Sequence, residues 1–266
     1  MIRYALLICL AIFPAFWTAS AAEKTKPLPK DLPPYSPLEP FKAPRVTART
    51  LSNGLTLWLV PRPGFPKDSF AVAVRGGLAS DPKDRPGLSQ LITDAVDQGT
   101  KTRTAKQIAE ELQAAGGDLT GAAGSDSIVV GTSVLSSKAE AGLTILADVL
   151  QNATFPDGEV DLAKRNAADN LRSQEANPSF LARRALAKAI FGDHPYSVIS
   201  GTHESIQKAT AEDLRHEYAK RFRPDQAVLV AVGDFEPDKL VATIESLFGK
   251  WSAPKNAYRS RSNRRF

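Results

Sequence analysis

The sequence is poor in the residues that most often carry reactive chemistry. Its 266 residues contain one cysteine and three histidines. The cysteine, Cys9, falls in an N-terminal apolar segment, so the rest of the chain has no thiol for a disulfide or a nucleophile. His194 stands before a proline in a loop and His216 on a polar helix face, and ordinary hydrogen bonding is the expected role of both and of His203. No serine lies in a Gly-x-Ser-x-Gly elbow and no Gly-x-x-x-x-Gly-Lys loop is present, which removes those hydrolase and nucleotide readings. Gly116, Gly117, Gly121 and Gly124 fall in a polar link, 118–126 with its approach, and lack the spacing of a nucleotide fingerprint. After residue 22 no run is apolar enough to cross a bilayer.

With 42% hydrophobic residues the chain is long enough to build a real core, which excludes a disordered protein. Residues 1–22 combine Arg3, an apolar run over 5–17 and a small-residue site at Ala19-Ser20-Ala21, the pattern of a secretory signal peptide. Cys9 follows Ile8 rather than a small residue, so a lipid-acylation site is not expected. Export of a chain left without cysteine suits a periplasmic or secreted protein. Residues 23–44 hold seven prolines from Pro27 to Pro44 and read as an extended arm. The net charge of +5 is modest. Part of it comes from Arg259, Arg261, Arg264 and Arg265, in a stretch 255–266 that reads as a solvated basic tail or the start of a linker, and no nucleic-acid partner is expected.

Between these ends the pattern is mixed. Strands at 46–51 and 55–60 flank Asn53-Gly54, the pair a type I′ hairpin turn prefers. A third strand alternates over 69–74 and ends at Gly76-Gly77. Helices follow: one near 88–97, one opened by the Thr104/Gln107 capping box, and, after a strand at 127–134, one capped by Ser137 with Glu140. Further helices are expected at 159–174, 180–190 and 211–220. An apolar run at 227–232 reads as a central strand, and a last helix begins near Pro237 and ends near Phe248-Gly249. This order predicts an α+β fold with a mainly antiparallel sheet and helices packed on one face.

The stretch from Pro86 to Thr100 is the most informative. Leu88, Leu91, Ile92, Ala95 and Val96 recur at helical spacing on one face, and Gln90, Thr93, Asp94 and Asp97 occupy the other. With Gly87, Leu88 and the close Gly99-Thr100-Lys101-Thr102-Arg103, this frame resembles the zinc helix of the insulinase/pitrilysin (M16) metallopeptidases. The resemblance continues in family order through Leu51-Ser52-Asn53-Gly54-Leu55, Val74-Arg75-Gly76-Gly77, Asp81-Pro82, Phe155-Pro156 and Asn177-Pro178. Beyond these come His194-Pro195-Tyr196, Gly201-Thr202, Glu204, Val232-Gly233-Asp234 and Phe248-Gly249-Lys250-Trp251, so it covers residues 45–254.

The resemblance implies one wall of a clamshell that encloses peptides, and a partner. That partner is a zinc-bearing M16 homologue or a second M16 half, because the chain stops where a second domain would begin. It also implies His-x-x-Glu-His where Gln90, Leu91, Ile92, Thr93 and Asp94 stand. Two zinc ligands four residues apart must both be good donors, and Gln90 offers a neutral carboxamide. Thr93 replaces the glutamate base, and a hydroxyl has no basic character near neutral pH. The third ligand of active members matches the region Ala168, Asp169, Asn170, Leu171, where the apolar stripe Val160, Ala163, Ala167, Leu171 leaves Asp169 turned away. Zinc lowers the pKa of bound water from about 15.7 to about 7, roughly 12 kcal/mol in proton affinity, and no other residue here replaces that. The expectation is a non-catalytic domain with no catalytic residue, no metal and no cofactor of its own, whose peptide-facing candidates are Gln90, Thr93, Asp94 and Asp97. The alternatives are a zinc endopeptidase with atypical ligands and a stand-alone binding module from a truncated gene. A weak hard-cation site at Asp94 and Asp97 is a lesser reading than a solvated helix face.

Overall fold

The computed structural model describes Pro40 and residues 43–253. The expected signal segment with Cys9, most of the proline-rich arm and the basic tail lie outside the described residues. Among the described residues no helix is long and apolar enough to cross a membrane.

β1 (Thr47–Thr50) and β2 (Thr56–Pro61) pair antiparallel around Asn53-Gly54. The turn itself is not type I′. Thr50 pairs with Thr56, which leaves five residues in the connection. Gly54 N donates to Leu51 O, Leu51 N donates to Leu55 O, and Gly54 alone of the turn residues has positive φ, at 91°. This is a type I turn closed by a glycine bulge. Asn53 keeps an ordinary backbone and uses its side-chain amide, which donates to the carbonyls of Phe248 (2.7 Å) and Trp251 (3.1 Å) and ties the hairpin to the end of the last helix.

Four more strands complete one sheet: β3 (Lys67–Arg75), β4 (Asp118–Ala123), β5 (Ser127–Leu135) and β6 (Ala227–Gly233). The order is β1-β2-β6-β3-β5-β4, antiparallel throughout except for the β2/β6 pair. β6 lies inside the sheet, as its apolar run predicts. The segment expected to be a polar link is instead the edge strand β4. Two of the segment's glycines allow close approach: a Cβ on Gly117, just before the strand, would lie 2.1 Å from the carbonyl oxygen of Ser133, and one on Gly121 within it 3.0 Å from that of Thr93. Only Leu119 and Ala123 of this strand pack against the core and the rest is exposed, so an alternating pattern is weak in the sequence.

The sheet buries one face. Leu57, Leu59, Phe70, Val72, Ile128, Val130, Leu229 and Ala231 alternate inward, while Trp58, Ala71 and Val230 on the other face keep some exposure. The helices are α1 (Leu88–Ala95), α2 (Ala105–Ala114), α3 (Ala139–Asn152), α4 (Asp157–Glu175), α5 (Pro178–Phe191), α6 (His203–Lys208), α7 (Ala211–Arg221) and α8 (Pro237–Phe248). The Thr104/Gln107 capping box forms at the start of α2. The Ser137/Glu140 box does not form, because residues 136–138 make a 3-10 turn and Ser136 is drawn to Asp68 Oδ1 at 2.7 Å. Short α6, opened by Thr202 and Ser205, is an element beyond those expected; six residues are too few to show a helical period.

α1 is the pivot of the architecture. It packs on β4 below and on α4, α6 and α7 at its sides, and Leu91, Ile92, Ala95 and Val96 are buried in the main core. Leu171, Phe180 and Ile206 form a smaller cluster where α4, α5 and α6 meet.

A candidate site between the first and fourth helices

The start of α1 is held from a distance. Gly87, at φ 90°, provides no side-chain cap, and the free N–H groups of Gly87 (2.9 Å) and Ser89 (3.1 Å) donate to the Asp81 carboxylate. Asp81 in turn accepts from Ser89 Oγ (2.5 Å) and from Arg221 Nη1 (3.1 Å), and Arg221 reaches Glu217 through Nε (3.0 Å) and Nη2 (2.8 Å). The side chains of Arg221, Asp81 and Glu217 are 4%, 2% and 6% exposed, so the triad is buried and nearly every polar contact in it is made inside the protein. Burial alone would raise the Glu217 carboxyl, but the Arg221 hydrogen bonds and charge, with Lys220 assisting, outweigh it and hold it below the ordinary range. The opposite end of the frame is held in a similar way. Asp148, on α3, accepts from Thr100 Oγ1 (2.7 Å), Thr102 Oγ1 (2.8 Å), Arg103 Nη1 (2.9 Å) and Asn152 Nδ2 (2.9 Å). Desolvation pushes its pKa up, and these four hydrogen bonds together bring it below the usual value.

Between the two anchors, α1 and α4 enclose a cavity of about 250 Å³. Gln90 and Asp94 line it from α1, and Asn170 and Gln174 from α4. Its apolar wall includes Leu91, Leu171 and Ile206. At one side of the lining Gly87 and Gly201 pass closely: a Cβ on Gly87 would stand 2.5 Å from the Cα of Gly201. Ser205 Oγ fixes this approach by donating to Pro86 O at 2.7 Å.

The four candidates from the sequence do not share one role. Gln90 and Asp94 face the cavity together, with Gln90 Nε2 donating to Asp94 Oδ1 at 2.8 Å. Thr93 is buried at 6% exposure, packed against Gly121 of β4, and its hydroxyl donates to Gln90 O at 2.8 Å. Asp97 is outside the cavity lining and accepts from Gln98 Nε2 at 2.7 Å. Asp94 stays accessible to solvent yet lies in a concave, protein-crowded setting. This desolvation raises its pKa against the opposing Gln90 hydrogen bond, and the Asp97 charge adds to the rise.

Across the cavity α4 presents Ala167, Asn170, Leu171 and Gln174. Asp169 is exposed, off the cavity, and ion-paired with Arg172 one turn on. Gln174 was not anticipated; it lies four residues after Asn170 on the same helix face, a spacing readable only once Asn170 is known to face α1. The donors that meet at this place are therefore two carboxamides from α4 and a carboxamide and one carboxylate from α1. That set does not fit zinc, which is held by imidazole, thiolate or carboxylate groups. Among the described residues no three His, Cys, Asp or Glu side chains gather into a metal-binding group. The histidines lie elsewhere. His203 Nε2 is 3.0 Å from Glu175 Oε2, and His194 Nδ1 accepts from Tyr196 N at 3.2 Å.

The sequence profile described as Insulinase (Peptidase family M16) matches residues 63–200, which hold α1, α4 and most of the lining of the cavity between them. The chain belongs to the M16 peptidase family. A second M16 profile, described as the Peptidase M16 inactive domain, matches residues 208–265. Among curated M16 relatives, an uncharacterized zinc protease of Rickettsia felis is 27% identical over 199 residues, covering 74% of this chain and 48% of that protein. A non-peptidase homolog, YmxG of Helicobacter pylori, is 25% identical over 183 residues, covering 68% and 42%. Among solved structures, a peptidase M16 inactive domain from Pseudomonas fluorescens superposes with a TM-score of 0.75 at 24% identity, covering 81% of this chain and 52% of that one. The periplasmic protease PqqL of Escherichia coli gives 0.74 at 18% identity, covering 80% and 25%. At these identities the structural likenesses establish the M16 fold alone. The chain spans about half the length of the curated relatives it matches.

Proposed function

We propose that this chain is a non-catalytic M16 domain that forms one wall of a peptide-binding chamber and leaves hydrolysis to a zinc-bearing M16 partner. The observation that carries this reading is the donor set of the cavity: Gln90, Asp94 and Asn170 stand where α1 and α4 face each other, with Thr93 buried behind them. Without a metal to acidify water, none of these groups supplies a base near neutral pH strong enough for peptide hydrolysis. The frame around the cavity is nevertheless complete, with both charged anchors formed and the glycine approach intact, as suits a surface kept for binding. The partner is a second M16 half, either on a continuation of this chain or on a separate one, and the named relatives, each about twice the matched length, support a two-part assembly. Export to the periplasm is part of the proposal; it rests on residues 1–22.

The test is direct. The isolated chain is expected to bind less than stoichiometric zinc and to leave peptides uncut. Co-expressed with a homologue that carries His-x-x-Glu-His, it is expected to co-purify with it as a defined complex whose peptidase activity needs both chains. Stoichiometric zinc together with chelator-sensitive cleavage by this chain alone would overturn the reading.

A further inference from the structure

The cavity between α1 and α4 carries an inference of its own. Its lining holds a single charged group, Asp94, and no lysine or arginine. The Asp94 carboxylate is satisfied on one side only by the Gln90 amide, a neutral donor. Around it stand the carboxamides of Asn170 and Gln174, whose oxygens can accept. Beneath these polar groups lie Leu91, Leu171 and Ile206. A slot with an apolar wall and a carboxylate among amide acceptors matches a side chain with an aliphatic stem and a cationic tip.

We infer that this cavity, in place of a metal, receives one lysine or arginine side chain of a bound peptide, with its cationic group on Asp94 and its stem along the apolar wall. The inference rests on the reading of the chain as a peptide-binding domain without catalysis. The volume of about 250 Å³ is below the range of about 300–1,000 Å³ of ordinary small-molecule pockets and suits one side chain rather than a whole cofactor. A divalent ion is a poorer occupant, since one carboxylate with neutral amides gives it too little charge. The raised pKa of Asp94 agrees, because a partly desolvated carboxylate gains most from an approaching cation.

The experiment titrates the chain with four blocked pentapeptides, alike except for a central lysine, arginine, norleucine or glutamate, using calorimetry and the side-chain amide NMR signals of Gln90, Asn170 and Gln174. The lysine or arginine peptide is expected to bind at least about tenfold more tightly than the norleucine peptide, as a charge-assisted hydrogen bond warrants. The ratio between the two cationic peptides tells ammonium from guanidinium. Asp94→Asn should abolish the preference without lowering the thermal midpoint, since a partly desolvated carboxylate adds no stability, and Gln174→Glu, which adds a second carboxylate, should strengthen it. Equal binding of lysine, arginine and norleucine peptides, a preference that survives Asp94→Asn, or no binding of any peptide would each overturn the inference. Equal binding would leave the non-catalytic reading standing, whereas zinc uptake with cleavage would strike that reading instead.

Discussion

Replacing Arg221 by methionine probes what holds α1 in place. The guanidinium donates to Glu217 and Asp81, to Ser89 Oγ (2.5 Å) and to the carbonyls of Gly76 (3.2 Å) and Ser80 (3.3 Å), all with its side chain 4% exposed. Methionine fills much of the same space but leaves buried Asp81 without a cation and Glu217 with only the partly exposed Lys220 at 3.2 Å. Removing one partner of a buried ion pair costs about 3–5 kcal/mol, most of it the desolvation of the charges left behind. For a chain of this size that corresponds to a fall in midpoint of roughly 6–20 °C. Urea denaturation followed by circular dichroism gives the value, with an unchanged m-value as the check that only stability has moved. Arg221→Met combined with Glu217→Gln removes one of the stranded charges and is expected to recover at least about 1 kcal/mol relative to the single variant. A loss below about 1 kcal/mol for Arg221→Met, or a double variant no better than the single one, would show that the triad is not a buried charge network.

Three further outcomes follow from the same geometry. Glu217 and Asp148 have lowered folded pKa values, so the stability they contribute is complete above their unfolded values, near 4, and is lost as pH falls through the lower folded values; Asp148→Asn should flatten that acid-side slope in thermal melts, and an unchanged slope would refute the assignment. Gly87→Ala places a Cβ against Gly201 at φ 90° and should cost at least about 1–2 kcal/mol from the backbone alone, while Gly158→Ala, which meets nothing within 4 Å, should be neutral or stabilising in the same melts. The combination Gln90→His, Asp94→His and Asn170→Glu should create a zinc site, read as metal content after dialysis; failure to take up zinc in a folded variant would mean that these three positions do not converge.

Much of this protein can be read from local chemistry. Strand patterning and turn residues announce β2, β3 and β5, a continuous apolar run announces β6, and the Thr104/Gln107 pair starts α2, because such signals depend on neighbours a few residues apart. The pairing of Gln90 with Asp94 is legible for the same reason: they are one helical turn apart on α1 and meet at 2.8 Å. The signals that failed were those for which a distant partner wins. Asn53 serves the carbonyls of Phe248 and Trp251 instead of a type I′ turn, Ser137 is taken into a 3-10 turn next to the Ser136–Asp68 hydrogen bond and leaves α3 uncapped, and Gly117 and Gly121 mark close approach instead of a link.

The sequence by itself determined the period of α1 and the residue types on its polar face, Gln90, Thr93 and Asp94, since both are written along one helix. Only the tertiary structure decided which α4 residue faces that helix. Asp169, Asn170 and Leu171 are adjacent in the chain but about 100° apart around the helix, and packing puts Asn170 and Leu171 in the cavity lining with Gln90 and Asp94 and leaves Asp169 out of it. It turned Asn170 and Gln174 inward and sent Asp169 to Arg172, and so made the site a cavity with one carboxylate among amides.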